Sequence, residues 1–331
     1  MRLGGNAQYY TQLETYEDVV AASNWAKEND VELRVIGGGS NIFFDDSGFS
    51  GLIAVCKLKG IKIVDETDTT VTIKAVAGEV WDDLVEFTVS RNLSGIETLS
   101  LIPGTVGAAP VQNIGAYGQQ LADTFVELEA YDLANEKLVT LAKDACEFGY
   151  RSSQFKGIDR QRYIITSITL VLSKAPTLKP PFYKDIEQYF AECNSPVDTS
   201  PKLIREAILY IRRNKLPDPS VVANNGSFFK LPIITAEHLA EIRKKWPDLP
   251  ADTVDDGKLK VRTGWILEKL GYKGYRHKNG MGTFDTQAMV VVNYSAKSSK
   301  DLLDFVDQIK RDVYTETGIK LENEPELIKS K

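Results

Sequence analysis

Three separated motifs carry groups capable of acid–base or electrostatic chemistry. Arg151 follows a Gly-aromatic pair in FGYRSS, and its guanidinium is a fixed charge with a planar fork suited to a carboxylate or an enolate. Ser227 lies between a glycine and two phenylalanines in NNGSFFK, where a hydroxyl in a dry pocket can act as nucleophile or proton donor. Glu324 lies in the acidic stretch LENEPE. Each has an ordinary alternative: a surface ion pair, a serine bonding a local turn, and a solvated tail.

The histidine and cysteine content excludes several kinds of site. Only His238 and His277 occur, and Ser227 lacks a GxSxG setting, so the sequence disfavours a Ser-His-Asp triad and a multi-histidine metal site. The three cysteines are scattered and form no CxxC, which argues against zinc and fits a reducing cytoplasm. We therefore predict no metal.

A glycine-rich turn follows a predicted strand over residues 32–36. It reads Gly37-Gly38-Gly39-Ser40-Asn41, and consecutive N–H groups without neighbouring Cβ atoms form a concavity for phosphate or pyrophosphate oxygens. The turn is not GxGxxG and no helical pattern follows it, which disfavours a Rossmann fold. The alternative is a tight turn that only reverses the chain.

The stretch LIPGTVGAAPVQNIGAYG, residues 101–118, carries no charge and is rich in glycine and proline. Such a run is unsuited to a helix and too apolar for a solvated loop, so it must lie against a buried partner. Its small residues let the backbone approach a flat ring system, and Gln112 and Asn113 could bond ring heteroatoms. A packed loop without a ligand is the alternative.

Alternating helix and strand patterns surround these motifs. Thr15-Tyr16-Glu17-Asp18 predicts a capping box that opens a helix. Ser200-Pro201 predicts another helix start, after a domain boundary between about 174 and 200. Further patterns predict strands near 52–55, 70–76, 126–130, 163–172 and 288–292, and helices near 81–88, 265–270 and 302–313.

The overall composition is that of an ordinary globular protein. Charged residues make up 26% and the formal net charge is −6, so no bulk basic field for nucleic acid exists. A local basic cleft for a small anion stays open through Arg205, Arg212, Arg213 and Lys215. No signal-peptide core and no run of about 18 apolar residues occurs, so no spanning helix is expected.

Taken together, the motifs are far more specific than any one of them. RVIGGGSN, IPGTVGAAPVQNIGAYG, FGYRSSQFK, KLPDP with NNGSFFK, QAMVVVN and LENE occur in that order. From Arg2 to about Ile328 the chain closely resembles the UDP-N-acetylenolpyruvoylglucosamine reductase family, flavoenzymes of peptidoglycan precursor synthesis.

The resemblance implies an α+β fold of the vanillyl-alcohol-oxidase (PCMH) type that binds FAD. It places two FAD-binding subdomains at 1–60 and 61–199, a smaller α+β substrate domain at 200–318, and a segment at 319–331 that returns to the active site. Residues 37–41 would hold the FAD diphosphate. The flavin would be lined by Gly104, Gly107, Ala108, Asn113, Gly115 and Ala116.

The implied reaction has two halves in a cytoplasmic, monomeric enzyme. NADPH gives a hydride to FAD, and flavin N5 then delivers it to the methylene carbon of UDP-N-acetylglucosamine enolpyruvate. Arg151 and Glu324 would stabilise the enolate, and Ser227 would protonate the α-carbon to give UDP-N-acetylmuramate. The match also points to three substrate contacts: Tyr183 in a loop that closes over the sugar nucleotide, Lys215 at the diphosphate, and Gln287.

The chain departs from the family pattern in three places. Leu231 stands where the family usually has Asn after GSFFK. The last motif reads LENEP instead of LEPE, which leaves Glu322 and Glu326 open as substitutes for Glu324. The family normally has a short leader before a segment like MRLGGNAQ, so either the natural start lies upstream or the leader is dispensable.

Two other functions remain open from the sequence. One is a flavin oxidase of the same fold, for which an α-carbon proton donor at Ser227 would have no use. The other is a non-catalytic nucleotide-binding protein, for which there would be no reason to carry Arg151, Ser227 and Glu324 together.

Overall fold

The computed structural model describes residues 1–157, 159–193, 198–254 and 257–329, in two compact units. The larger unit comprises Ala7–Gly39 and Ser50–Asn214. The smaller unit comprises Met1–Asn6, Ser40–Phe49 and the chain from Lys215 onward.

The helices and strands of the described residues are as follows. The helices are α1 (Tyr16–Glu28), α2 (Trp81–Val89), α3 (Leu121–Thr124), α4 (Lys184–Glu192), α5 (Pro201–Lys215), α6 (Ala236–Lys245), α7 (Thr263–Lys269) and α8 (Ser299–Thr317). The strands are β1 (Ala7–Leu13), β2 (Glu32–Ile36), β3 (Ile42–Phe44), β4 (Phe49–Cys56), β5 (Ile61–Glu66), β6 (Thr70–Val76), β7 (Gly115–Ala116), β8 (Gln119–Gln120), β9 (Phe125–Asp132), β10 (Lys137–Ala142), β11 (Tyr163–Ser173), β12 (Ala223–Ser227), β13 (Ile233–Ile234), β14 (Ala251–Thr253), β15 (Leu259–Val261), β16 (Met281–Thr283), β17 (Val290–Asn293) and β18 (Glu326–Ile328).

A small sheet and helix α1 form one part of the larger unit. The sheet has the order β1-β4-β2, with β2 and β4 parallel. The predicted capping box is confirmed, since the Thr15 hydroxyl accepts from the Asp18 amide and the Asp18 carboxylate accepts from the Thr15 amide. Val19 and Ala22 of α1 are buried in one cluster with Leu52 and Ala54 of β4, so their side of the helix is its packing face.

The second part of the larger unit is a five-stranded antiparallel sheet in the order β10-β9-β11-β6-β5. Strand β6 alternates as predicted, with Val71, Ile73 and Ala75 buried on one face. Helix α2 and Val106 of the charge-free stretch join the same core. The apolar composition of residues 101–118 is thus explained in part by packing.

Helix α4 was not predicted from the sequence. Its buried Ile186 and Phe190 pack with Ile204 and Ile208 of α5 in a cluster of their own. Two apolar residues in one short helix are a weak periodic signal, and nearby prolines suggested a boundary instead. The four-part division at residues 60, 199 and 318 stays a prediction. Residues 194–197 of the expected boundary and 330–331 of the last predicted segment lie outside the described residues.

The smaller unit is built from short sheets covered by helices. Its sheets have the orders β12-β17-β16 and β13-β15-β14, and β18 pairs in parallel with β3. Phe228 and Phe229 lie in its core beside Phe305 of α8. The residues after α8 therefore return to the segment that follows the glycine turn.

Candidate active site

The two glycine-rich segments of the larger unit lie against each other. A Cβ atom on Gly37 would collide with the Thr105 hydroxyl, and one on Gly38 would lie 3.5 Å from the Gly104 Cα atom. Gly39 has φ +69°, and nothing lies within 4 Å of its Cβ position. The first glycine is therefore required by close packing, and the third leaves open space above a left-handed backbone. This cradle suits the approach of a diphosphate or a flat ring.

Short 3-10 turns carry the rest of the charge-free stretch. Gly107 packs so closely on Ala77 that an added Cβ would lie 2.6 Å from the Ala77 Cβ atom. Asn113 is buried, and its amide nitrogen donates to the Gly149 carbonyl and to the Gln120 side chain, each at 3.1 Å. Its oxygen accepts from the Ala122 amide at 3.0 Å. These bonds hold Asn113 within the loop, and its predicted place beside a flavin stays a prediction.

Arg151, from the later FGYRSS motif, lies beside this stretch. Its Nη2 atom donates to the Gly115 carbonyl at 2.5 Å, so the guanidinium is fixed beside the residues predicted to line a flavin. Arg151 has φ +53°, in a region that non-glycine residues seldom occupy. A Gly149–Ser152 bridge and the Asn113 bond to Gly149 hold this turn. The turn formed by the FGYRSS motif therefore holds the Arg151 side chain in one position.

In the smaller unit, the motifs around Ser227 and Glu324 are neighbours. The Glu324 amide donates to the Phe228 carbonyl at 2.9 Å, and the Lys230 amide donates to the Glu322 carbonyl at 3.0 Å. Ser227 ends β12, whose pairing with β17 shifts register between Asn224 and Ser227. Such a bulge redirects side chains, and it leaves the Ser227 residue exposed beside two buried phenylalanines.

Asn225 connects β12 to residues 40–42, at the end of the glycine turn. Its buried amide nitrogen donates to the carbonyls of Ser40 and Ile42, at 2.9 and 3.1 Å. The Asn41 side chain donates to the Glu324 carbonyl at 3.3 Å, and the Glu326 amide donates to the Asn41 carbonyl at 3.0 Å. Ser40 and Asn41, which are predicted to bind the FAD diphosphate, thus belong to the same hydrogen-bond network as the segments that carry Ser227 and Glu324.

The two other C-terminal glutamates occupy different surroundings. Glu322 is exposed, and its carboxylate pairs with Lys230 at 3.0 Å. Glu326 is part of β18, which pairs with β3. Glu324 lies half-buried between them.

The predicted substrate contacts fall in both units. In the smaller unit, the Lys215 carbonyl accepts at 2.8 Å from the hydroxyl of Thr286, the residue that precedes Gln287 in the chain. The Gln287 oxygen accepts from the Met289 amide at 3.4 Å. In the larger unit, Tyr183 precedes α4, and its ring meets the Tyr117 ring edge-on at 5.9 Å.

The arginines of α5 have distinct roles in the larger unit. Arg205 donates to both Asp82 oxygens, at 2.6 and 3.0 Å, and Asp82 also accepts from the Leu101 amide at 2.6 Å. Burial works to raise the pKa of Asp82, but the bonds from Arg205 and Leu101 lower it overall. Arg212 has a buried Nε atom without a hydrogen-bond partner in the described structure, and burial lowers its pKa. Arg205 thus braces the start of the charge-free stretch, which the sequence alone did not reveal.

The described residues lack two kinds of feature. Among them, no group of three or more His, Cys, Asp or Glu side chains could hold a metal ion. No helix within those ranges is long and apolar enough to cross a membrane.

Comparison with known proteins defines the class first. Residues 7–142 match the model of an FAD-binding domain, and residues 218–328 match that of the UDP-N-acetylenolpyruvoylglucosamine reductase C-terminal domain. The chain is therefore an FAD-binding protein of α+β architecture with a smaller α+β domain, as the sequence predicted.

Individual relatives narrow the class to one family. The chain is 38% identical over 322 residues to a UDP-N-acetylenolpyruvoylglucosamine reductase of Paraburkholderia phymatum, covering 96% of this chain and 92% of the relative. It is 40% identical over 318 residues to that of Alcanivorax borkumensis, covering 96% and 89%. The solved enzyme of Thermus caldophilus shares the fold with a TM-score of 0.64 at 20% identity, covering 96% and 91%. The chain belongs to the UDP-N-acetylenolpyruvoylglucosamine reductase family, which confirms the resemblance.

Proposed function

We propose that the protein reduces UDP-N-acetylglucosamine enolpyruvate to UDP-N-acetylmuramate for peptidoglycan precursor synthesis, with NADPH as hydride donor and FAD as carrier. The observation that carries the proposal is the hydrogen bond from the Glu324 amide to the Phe228 carbonyl, which sets a carboxylate motif beside the Ser227 strand. A fold that serves only to bind a nucleotide has no need of this arrangement.

The residues of the glycine cradle suit FAD. Gly37 and Gly38 pack closely on Thr105 and Gly104, Gly39 leaves open space for a diphosphate, and Ser40 and Asn41 continue the turn. The flavin would lie along Gly104, Gly107, Ala108, Asn113, Gly115 and Ala116. Hydrogen bonds from the Asn113 side chain to Gly149 and Ala122 hold that stretch in place. Bound FAD supplies the two-electron hydride chemistry that side chains lack.

Arg151 stabilises the negative charge that develops on the substrate. When a hydride adds to the methylene carbon of the enol ether, charge grows on the α-carbon and its carboxylate. The Gly115 bond fixes the guanidinium before the reaction, so little reorganisation accompanies charge development. Glu324 can assist this role only as the protonated acid, by donating a hydrogen bond to that charge. Glu322 is not assigned the role, because it is exposed and paired with Lys230.

Ser227 donates the proton that completes the reduction. The atoms balance when one hydride joins the methylene carbon and one proton joins the α-carbon. The β12 bulge presents the serine from a strand whose next two residues are core phenylalanines, so its position is rigid. The proton that Ser227 loses must be replaced from solvent or a neighbouring group.

The sugar nucleotide is held by Tyr183, Lys215 and Gln287. Lys215 ends α5 and offers a point charge to a diphosphate oxygen. Leu231, where the family usually has Asn, packs against the apolar core of the smaller unit, so it supplies no polar contact. The three free cysteines fit a reducing cytoplasm, where we place the enzyme as a monomer.

A two-step spectroscopic experiment tests this function. Purified protein should be yellow, and NADPH added without oxygen should bleach the flavin absorbance. Addition of the enolpyruvyl substrate should then restore the absorbance and yield UDP-N-acetylmuramate. Arg151→Ala should slow only the second step, whereas Arg91→Ala, an exposed arginine on the same unit, should change neither.

Three results would contradict the proposal. A colourless protein that binds no FAD would favour the nucleotide-binding alternative. Recovery of absorbance by oxygen but not by the substrate would favour the oxidase. Equal loss of both steps in Arg151→Ala would indicate a folding defect and remove the assigned role.

A further inference from the structure

We propose that Thr177, held by Ser94 and the buried Glu97, is a positioning residue that sets where Tyr183 lies. Residues 174–183, called here the Tyr183 segment, run from the end of β11 to the start of α4 in the larger unit. The inference rests on the proposed function, because it takes Tyr183 to be a substrate contact.

The anchor begins at a carboxylate without solvent contact. Glu97 is fully buried, and its oxygens accept from the Ser94 hydroxyl and the Gly95 amide, each at 2.6 Å. Since a hydroxyl has only one proton, the bond to Glu97 leaves Ser94 Oγ as an acceptor toward its other neighbours. The direction of the remaining bonds follows from this.

Thr177 donates two hydrogen bonds to Ser94 Oγ. Its amide donates to Ser94 Oγ at 2.9 Å, and its hydroxyl lies 2.9 Å from the same atom. Because the only hydroxyl proton of Ser94 is engaged in the hydrogen bond to Glu97, the Thr177 hydroxyl is the donor of this second bond. A chain of hydrogen bonds therefore runs from Thr177, which is itself exposed, through Ser94 to the buried Glu97 carboxylate, and the Ser94–Glu97 bond is the one shielded from water.

The anchor fixes the stem of the Tyr183 segment. Ser94 and Ser173 exchange both backbone hydrogen bonds, at 2.8 and 3.0 Å, and the Ala175 amide donates to the Ser173 hydroxyl at 3.0 Å. From Thr177 to Tyr183, residues of the segment line a cavity of about 460 Å³ together with Gly95 and residues 117–119. The position at which Thr177 is fixed thus sets where Tyr183 lies in the lining of this cavity.

Thr98, the residue after Glu97, holds residues 116–119 on the same cavity. The Thr98 amide donates to the Gln119 side chain at 2.9 Å, and the Thr98 hydroxyl donates to the Ala116 carbonyl at 2.9 Å. One short turn, Glu97–Leu99, is therefore bonded through Ser94 to the Tyr183 segment and through Thr98 to Ala116 and Gln119. Tyr183 is positioned relative to Tyr117 through this turn.

Thr177→Val tests the anchor, because valine keeps the shape and the amide bond but lacks the hydroxyl. We expect the KM for the enolpyruvyl substrate to rise about 10-fold, equivalent to about 1.4 kcal/mol. The rate of NADPH-dependent flavin bleaching and the midpoint of thermal unfolding should stay unchanged. Amide hydrogen exchange over residues 177–183 should accelerate.

Matched variants separate positioning from general stability. Thr177→Ser should restore the KM and the slow exchange, and the exposed Thr140→Val should alter neither. Ser94→Ala removes the shared acceptor, and its effect on KM should not add to that of Thr177→Val, as for residues of one network.

The Tyr183→Ala variant distinguishes the two ways of failing. If Tyr183→Ala leaves the KM unchanged, the substrate contact assigned to Tyr183 is wrong and the positioning role falls with it. If Tyr183→Ala raises the KM but Thr177→Val does not, the positioning role alone is overturned. Loss of NADPH-dependent bleaching in Thr177→Val at normal folding would equally contradict it.

Discussion

At the scale of single residues, chemistry is assigned to ordinary groups by what surrounds them. Ser227 is an exposed residue, and its distinctive feature is the strand bulge that carries it between Gly226 and the buried Phe228. Arg151 likewise differs from a surface arginine because its guanidinium is bonded to the Gly115 carbonyl. The sequence names these residues, and their fixed positions give them a use.

Ser227→Ala should separate the two halves of the proposed reaction. Loss of a positioned proton donor should slow substrate-dependent recovery of flavin absorbance about 10²–10⁴-fold. Bleaching by NADPH should change less than about two-fold, because the serine takes no part in it. Stopped-flow absorbance measures both steps, with Ser295→Ala, an exposed serine of the same unit, as control. Fast recovery in Ser227→Ala would exclude Ser227 as the donor.

At the scale of elements, buried polar groups hold the ends of strands. Asp132 ends β9 and is almost fully buried, and its carboxylate accepts from the Arg162 guanidinium, the Asn135 side chain and the Ala134 amide. The bonds from Arg162 lower the pKa of Asp132 well below its ordinary value. This carboxylate therefore fastens the turn that leads into β10.

Asp132→Asn should destabilise the protein in a pH-dependent way. At neutral pH we expect a loss of about 1–3 kcal/mol of unfolding free energy, the usual cost of breaking a buried, charged hydrogen-bond set. A carboxyl whose pKa is lower in the folded chain stabilises it above the unfolded value, near pH 4, and less as the pH falls further. The difference from the unsubstituted protein should therefore shrink in acid.

Denaturant unfolding at neutral and acidic pH measures this difference. Asp68→Asn, in an exposed turn, is the matched control and should change stability little at either pH. A difference for Asp132→Asn that stays constant or grows on acidification would show that the carboxylate charge is not the source of the stability.

At the scale of the whole molecule, the three thiols report which parts of the fold are closed. Cys56 and Cys146 are buried, whereas Cys193 is exposed. Burial raises the pKa of Cys146 to about 12 and also raises that of Cys56. Because the thiolate is the reactive form, both buried thiols should be inert in the folded protein.

A thiol titration with an aromatic disulfide reagent near pH 8 should find one fast-reacting thiol in the folded chain and three after denaturation. Cys193→Ser should abolish the fast reaction while leaving two thiols in the denatured chain. A second fast thiol in the folded protein would show that one of the two cores opens readily.

The sequence by itself determined the chemical groups and much of the local structure. The capping box of α1, the alternation of β6 and the Ser200-Pro201 start of α5 depend on residues a few positions apart, so their patterns are legible in the chain. The order of the motifs also identified the family and its cofactor domain, both of which the comparisons confirm.

Only the tertiary structure decided which groups are neighbours and which are already engaged. It set Phe228 against Glu324, bonded the amide of Asn113 to the loop, and joined Thr177 through Ser94 to Glu97. These contacts link residues far apart in the chain, and they depend on strand register and on burial. No local pattern encodes them, because a buried donor and its acceptor from distant parts of the chain meet only when the whole unit has packed.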